Sequence, residues 1–109
     1  MNKVYVVINK IYDEYTDNTD FKMEVFKDLE SANAYFTAQK NNIAKELISL
    51  TEPYSEEPLT LKDLLDMCQE DGLRTEEHSD DRHYLLSIEE WGSFCIDIYE
   101  KDIIECYKI

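Results

Sequence analysis

A chain of 109 residues with 43% hydrophobic and 12% aromatic residues can bury one modest core, which excludes an intrinsically disordered protein. Its net charge of −14, from 25 acidic and 11 basic residues, disfavours binding to nucleic acid or to an anionic membrane and favours basic partners. No apolar run approaches the roughly 20 residues that span a bilayer, and no signal-peptide pattern opens the chain. We therefore predict one domain, residues 1–109, of a soluble cytoplasmic protein.

Alternating apolar residues predict two antiparallel strands at the start of the chain. In residues 3–12, both the odd-numbered and the even-numbered positions are apolar for much of the length. This pattern is typical of a strand that is central in a sheet or covered on both faces. The polar residues 13–20 predict a turn. The alternation of Phe21, Met23 and Val25 with charged residues then predicts the second strand.

The apolar spacing changes from two residues to three and four after Asp28, which predicts a helix with Asp28 as its N-cap. The pair Asn41-Asn42 is the point where this helix is expected to kink or break. The stripe expected to face the sheet consists of Leu29, Ala32, Tyr35 or Phe36, Ile43, Leu47 and Leu50.

A second, shorter helix is predicted beyond a proline-containing linker at residues 51–58. Thr60, with Asp63 three residues later, has the pattern of an N-terminal capping box, and Gly72 is the expected C-cap. Its inner stripe is Leu61, Leu64, Leu65 and Cys68. The acidic residues 71–81 that follow predict an exposed loop, the most mobile internal segment by composition.

Residues 82–100 predict a β-hairpin around which the remaining elements are arranged. Its two runs alternate apolar and polar residues, and Trp91-Gly92 lies between them where a turn is needed. Cys95 alternates with the apolar residues and is expected to point away from the main apolar face. Residues 103–109 are interpreted as a last short strand or an ordered tail. The order β-β-α-α-β-β predicts an α+β two-layer sandwich, in which a mostly antiparallel sheet of four to five strands packs against two helices.

Residues 25–36, VFKDLESANAYF, fit the pattern V/I-F-x-[SD]-x-E-x-A-x-x-[YF]. With the strand pair before it and the closing strand after it, the chain resembles many small bacterial and phage α+β proteins without an assigned activity. The likeness covers residues 3–36 and roughly 83–104, whereas residues 51–72 depart from the shortest members. It implies a small α+β domain of phage or mobile-element origin and transfers no catalytic residues.

The three cysteines, Cys68, Cys95 and Cys106, are odd in number and form no Cys-x-x-Cys pair, so we predict reduced thiols. Cys68 or Cys95 with His83 is the candidate nucleophilic pair. A reactive thiol needs a lowered pKa, and acidic surroundings should raise it, so structural thiols are favoured.

Two polar clusters suggest metal sites, but neither has a complete ligand pattern. His78 and His83, with Asp80 and Asp81 between them, offer zinc ligands, whereas two solvated histidines explain the same residues. The segment Asp13–Asp20 has no glycine at the central position of a calcium-binding EF-hand loop. We therefore predict no metal and no cofactor.

Acid–base and phosphate-binding patterns are also missing. Glu89-Glu90 should point to opposite faces of a strand, which prevents the two carboxylates from sharing a site. The two glycines are twenty residues apart and cannot form a phosphate-binding loop. These observations favour a protein without catalytic activity.

The favoured function is a small, acidic, non-enzymatic protein-interaction domain that binds a protein partner and is itself a monomer or homodimer. One alternative is an acidic mimic of nucleic acid that inhibits a host defence nuclease of the restriction or CRISPR type. The other alternative is a small metal-dependent enzyme centred on the acidic loop and His83. Tyrosine and tryptophan favour interface hot spots. The residues predicted to contact a partner are Trp91, Tyr84, Tyr99, Glu76, Glu77, Asp80, Asp81, Glu89 and Glu90.

Overall fold

The computed structural model describes residues 3–51 and 60–102. These ranges contain five strands and two helices in the order β-β-α-α-β-β-β. Their bounds are β1 Lys3–Asp13, β2 Asn18–Phe26, α1 Leu29–Thr51, α2 Leu61–Glu70, β3 Thr75–Ser79, β4 His83–Ile88 and β5 Gly92–Asp102.

The five strands form one antiparallel sheet in the order β2-β1-β5-β4-β3. The two hairpins β1–β2 and β4–β5 meet where β1 pairs with β5, with Val7 opposite Ile98. Both helices pack on one face of this sheet. The predicted α+β fold with an antiparallel sheet and two helices is therefore confirmed, and β1 is an interior strand, as expected from its apolar sequence.

One strand lies where the sequence predicted an exposed loop. Residues Thr75–Ser79 form β3, which pairs with β4 at the edge of the sheet. Four of the five residues in the segment TEEHS are exposed at the sheet edge. Such a strand needs no alternation of apolar and polar residues, so hydrophobic periodicity could not predict β3. The strand or tail predicted at 103–109 and most of the predicted linker lie outside the described residues, and Thr51 ends α1.

The core lies between the helices and one face of the sheet. Asp28 caps α1 as predicted, since its carboxylate accepts a hydrogen bond from the Ser31 backbone N–H at 2.7 Å. The helix then runs through Asn41-Asn42 to Thr51, so the predicted break is absent. From the predicted stripes, the buried side chains are Ala32, Phe36, Ile43, Leu47, Leu64 and Cys68. They belong to one core cluster with Val7, Tyr84, Leu86, Ile88, Ile96 and Ile98 of the sheet.

The predicted capping box of α2 is present. The Thr60 hydroxyl accepts from the Asp63 backbone N–H at 3.2 Å, and the Asp63 carboxylate accepts from the Thr60 backbone N–H at 3.0 Å. These hydrogen bonds lower the pKa of Asp63. At the other end, the C-cap is Asp71, one position earlier than the predicted Gly72, which follows it with φ +84°.

The lowered pKa of Asp63 predicts a pH dependence of stability. The contribution of the ionised Asp63 carboxylate to the free energy of unfolding is expected to be complete above the ordinary aspartate pKa of about 3.9. It should be lost as the pH falls through the lower pKa of Asp63 in the folded state. Urea unfolding between pH 7 and pH 3 should show this loss in the native chain and in Asp66→Asn, which carries the same change on the same helix. Asp63→Asn should lack it, and an unchanged pH profile in Asp63→Asn would contradict the assignment.

Candidate functional site

The face of the sheet opposite the helices is the main feature that lacks a covering layer within residues 3–51 and 60–102. Alternate residues of a strand point to opposite faces. Because Val7 faces the helices, Val6 and Ile8 point to this second face, which we call the open face. Both side chains are only partly exposed, whereas their neighbours on the edge strand β2 are largely exposed.

The open face carries an apolar patch that we call the open-face patch, formed by Val6, Ile8, Phe21, Met23, Val25 and Tyr99. Phe21, Met23 and Val25 expose 64%, 65% and 57% of their surfaces, and Tyr99 exposes 45%. The register places these side chains in cross-strand rows, with Val6 between Val25 and Tyr99 and Ile8 opposite Met23. Four large apolar side chains exposed on β2 and β5, joined by Val6 and Ile8 of the intervening strand β1, form a contiguous surface of the kind that marks interaction sites.

Three potential metal ligands lie beside this patch on the same face. His83 pairs with Asp97 across β4 and β5, and Cys95 lies two residues from Asp97 on β5. The Asp97 carboxylate contacts the His83 Nδ1 with one oxygen and accepts from the Cys95 Sγ, at 3.3 Å, with the other. From the sequence, His83 was a candidate metal ligand and also a candidate partner of the Cys95 thiol in catalysis, whereas Asp97 was in neither set. The sequence contained the information needed to find Asp97, because pairing β4 with β5 about the Glu89–Trp91 turn places His83 opposite Asp97.

The two described thiols are in surroundings that keep them protonated at neutral pH. Burial, with the hydrogen bond to Asp97 and its charge, raises the pKa of Cys95 to about 11. Burial and then Asp71 raise the pKa of Cys68, which lies in the core. Both thiol pKa values are therefore raised, as predicted from the acidic surroundings, but burial is the larger cause in both cases. Cys95 also faces away from the core, as predicted from its alternation.

The aromatic residues predicted to bind a partner do not lie together. Tyr84 is 3% exposed in the core, where its hydroxyl donates to Glu77 at 2.7 Å, and we remove it from the candidate interaction residues. Trp91 packs partly buried against the same core. Tyr99 alone of the three belongs to the open-face patch. The alternation in Phe21, Met23 and Val25 had indicated a strand, but it could not show that this set faces away from the helices.

The acidic residues predicted to bind a partner are spread over several surfaces. Glu76 pairs with Ser87 on the open face, whereas Glu77 pairs with Leu86 and lies on the helix side. In the turn after β4, the Glu89 carboxylate lies 3.8 Å from the Arg74 Nε. In the same turn, the Glu90 backbone N–H donates to the Glu14 carboxylate. Asp80 and Asp81 line an open groove of about 380 Å³ beside the first half of α1.

In the two polar clusters that were considered as metal sites, the side chains contact other groups of the chain. His78 contacts Glu76 at 2.8 Å, whereas His83 contacts Asp97, so the two histidines have different carboxylate partners. In the first turn, Asp13 accepts from the Tyr15 backbone N–H and Asp17 accepts from the Tyr12 hydroxyl, each at 2.9 Å. Among the described residues, the group of His, Cys and acidic side chains that converges as three ligands is His83, Cys95 and Asp97.

Comparison of the chain with protein-family models, curated proteins and solved structures found no match. Among the described helices, none is both long enough and apolar enough to cross a membrane.

Proposed function

We propose that this chain is a small non-enzymatic interaction domain that binds a protein partner through the open face of its sheet. The observation that carries the proposal is the exposure of Phe21, Met23 and Val25 on one strand, with Tyr99 exposed on the same face of the sheet. Covering such side chains removes apolar surface from water, which stabilises a complex by roughly 25 cal/mol per Å² before the costs of association. The likeness to small phage proteins makes a phage or mobile-element origin part of this proposal.

The net charge of the chain favours binding to a different protein over binding to a second copy of the same chain. Two chains of net charge −14 repel each other, whereas a basic partner is attracted. We infer a partner with an apolar centre and a basic surround.

An acidic nucleic-acid mimic receives less support from the geometry. A mimic needs carboxylates in a regular array on one surface, and Glu76 and Glu77 lie on opposite faces of the sheet. Glu77 also accepts the Tyr84 hydroxyl, and Glu89 is near Arg74, so both are engaged within the chain. The two functions predict different salt dependence, because apolar burial is retained at high salt and charge pairing is screened.

The proposal is tested by replacing Met23 with aspartate. The substitution places a charge in the middle of the open-face patch on an exposed edge strand, so folding should be retained, as far-ultraviolet circular dichroism can verify. Affinity capture from lysate of the producing cells, at low and high salt, should recover a partner with the native chain under both conditions. Met23→Asp should reduce its recovery at least about tenfold, because a buried unpaired charge costs well over 1.4 kcal/mol.

Met67→Asp is the matched control, since Met67 is 44% exposed on α2 and lies outside the open face. It makes the same chemical change and should leave recovery of the partner unchanged. Equal recovery with all three chains would contradict the proposal. A partner that is recovered at low salt and lost at high salt with the native chain would favour the mimic instead.

A further inference from the structure

His83, Cys95 and Asp97 bring one nitrogen, one sulfur and one oxygen donor together on the open face. Their ligand atoms all lie within 4.8 Å of one another. Cys95 and Asp97 point the same way because they are two residues apart on β5, and His83 is directly opposite Asp97 on β4. Both strands are interior to the sheet, with paired neighbours on each side, so the backbone fixes the three positions relative to one another.

The distance between the Cys95 and Asp97 ligand atoms matches the spacing around a tetrahedral ion. Ligand atoms bonded to Zn²⁺ at about 2.0–2.3 Å in tetrahedral geometry are about 3.3–3.8 Å apart. The Cys95 Sγ lies 3.3 Å from the Asp97 carboxylate, and the His83 Nδ1 contacts the other oxygen of the same carboxylate. Shared coordination of one ion therefore requires the His83 ring and the Asp97 carboxylate to move apart from their direct contact, while Cys95 and Asp97 are already at a suitable distance.

The donor set also selects the kind of metal. Mg²⁺ and Ca²⁺ take oxygen ligands, whereas thiolate and imidazole are ligands of Zn²⁺ and related transition metals. The His83 and Asp97 side chains expose 41% and 22% of their surfaces to solvent, so an ion can reach them. Three protein ligands leave a fourth tetrahedral position for a water molecule.

We propose that His83, Cys95 and Asp97 form a site for one transition-metal ion of the Zn²⁺ class on the open face of the sheet. Binding replaces both contacts of Asp97, with the Cys95 thiol and with the His83 Nδ1, by three metal bonds. The thiol proton is released to solvent, and His83 binds through Nδ1 as the neutral ring with its proton on Nε2. The ion also brings positive charge to a strongly acidic chain. The site does not depend on the interaction proposed above, because all three ligands belong to this chain.

The test uses the reduced, metal-free chain of residues 1–109 and Co²⁺ as a spectroscopic probe for Zn²⁺. Titration should produce a thiolate-to-Co²⁺ charge-transfer absorption in the near ultraviolet that saturates at one ion per chain, and excess Zn²⁺ should abolish it. Calorimetry with Zn²⁺ should give the same stoichiometry. Cys95→Ser should eliminate the absorption, and Asp97→Asn and His83→Gln should each weaken Zn²⁺ binding by about tenfold or more.

Matched controls use the remaining thiols and the second histidine. Cys68→Ser, Cys106→Ser and His78→Gln should keep the absorption and the stoichiometry, and circular dichroism should show that every variant is folded. An absorption that survives Cys95→Ser would overturn the proposal. So would the absence of saturable Co²⁺ and Zn²⁺ binding by the native chain, which would leave the three residues as a metal-free hydrogen-bonded group.

Discussion

Replacing Gly92 with alanine is expected to lower the free energy of unfolding by about 3 kcal/mol or more. A Cβ atom at this position would lie 1.9 Å from the Tyr12 carbonyl oxygen and 3.0 Å from the Tyr12 carbonyl carbon. Both are backbone atoms of β1, so no side-chain rotation relieves the overlap. Gly92 also has φ +138°, which L residues rarely adopt, at the start of the strand that joins the two hairpins. Urea unfolding followed by circular dichroism measures the loss.

Gly72→Ala is the matched control for this prediction. Gly72 also has a positive φ, +84°, but a Cβ atom there would meet no atom within 4 Å. The substitution therefore costs only the strain of a left-handed alanine, about 1–2 kcal/mol. If the two variants lost equal stability, close approach to Tyr12 would not be the reason for glycine at position 92.

Leu86→Ala is expected to lower the free energy of unfolding by about 2–5 kcal/mol, the usual cost of removing a buried leucine side chain. Leu86 is fully buried, at 0% exposure, between the sheet and the helices. The helices cannot close over the space left behind, because the rest of the core is already packed around it. Thermal and urea unfolding both measure this change.

Leu85→Ala makes the same substitution one residue earlier on β4. Leu85 lies on the open face opposite Cys95 and is only partly buried, so its loss should cost about 1 kcal/mol or less. The pair therefore tests which face of the sheet is the core. A larger loss at Leu85 than at Leu86 would contradict the assignment of the open face.

Much of the fold was predictable because local patterns determine it. The spacing of Ala32, Phe36, Ile43 and Leu47 required a helix with one buried stripe, and all four are buried. Thr60 and its capping box marked the start of α2 from residue identities alone. The strand TEEHS was missed, since an exposed edge strand is held by backbone hydrogen bonds and needs no apolar side chains.

The candidate site was much less predictable, because it depends on pairing between distant segments. Residue types alone showed that β2 alternates and that Cys95 points away from the core. Only the register of β1 with β2 and β5 showed that Phe21 and Met23 share a face with Tyr99, away from both helices. The register of β4 with β5 places Tyr84 opposite Ile96 in the core and so removes it from the candidate set.

The sequence by itself determined the composition, the acidic charge, the helices and the alternation of the strands. The tertiary structure alone decided which side of the sheet the helices cover, and therefore which alternating set is core and which is surface. It also decided that His83, Cys95 and Asp97 converge. The physical reason is that alternation specifies two faces for each strand, whereas strand pairing and helix packing specify which faces are joined and which is buried.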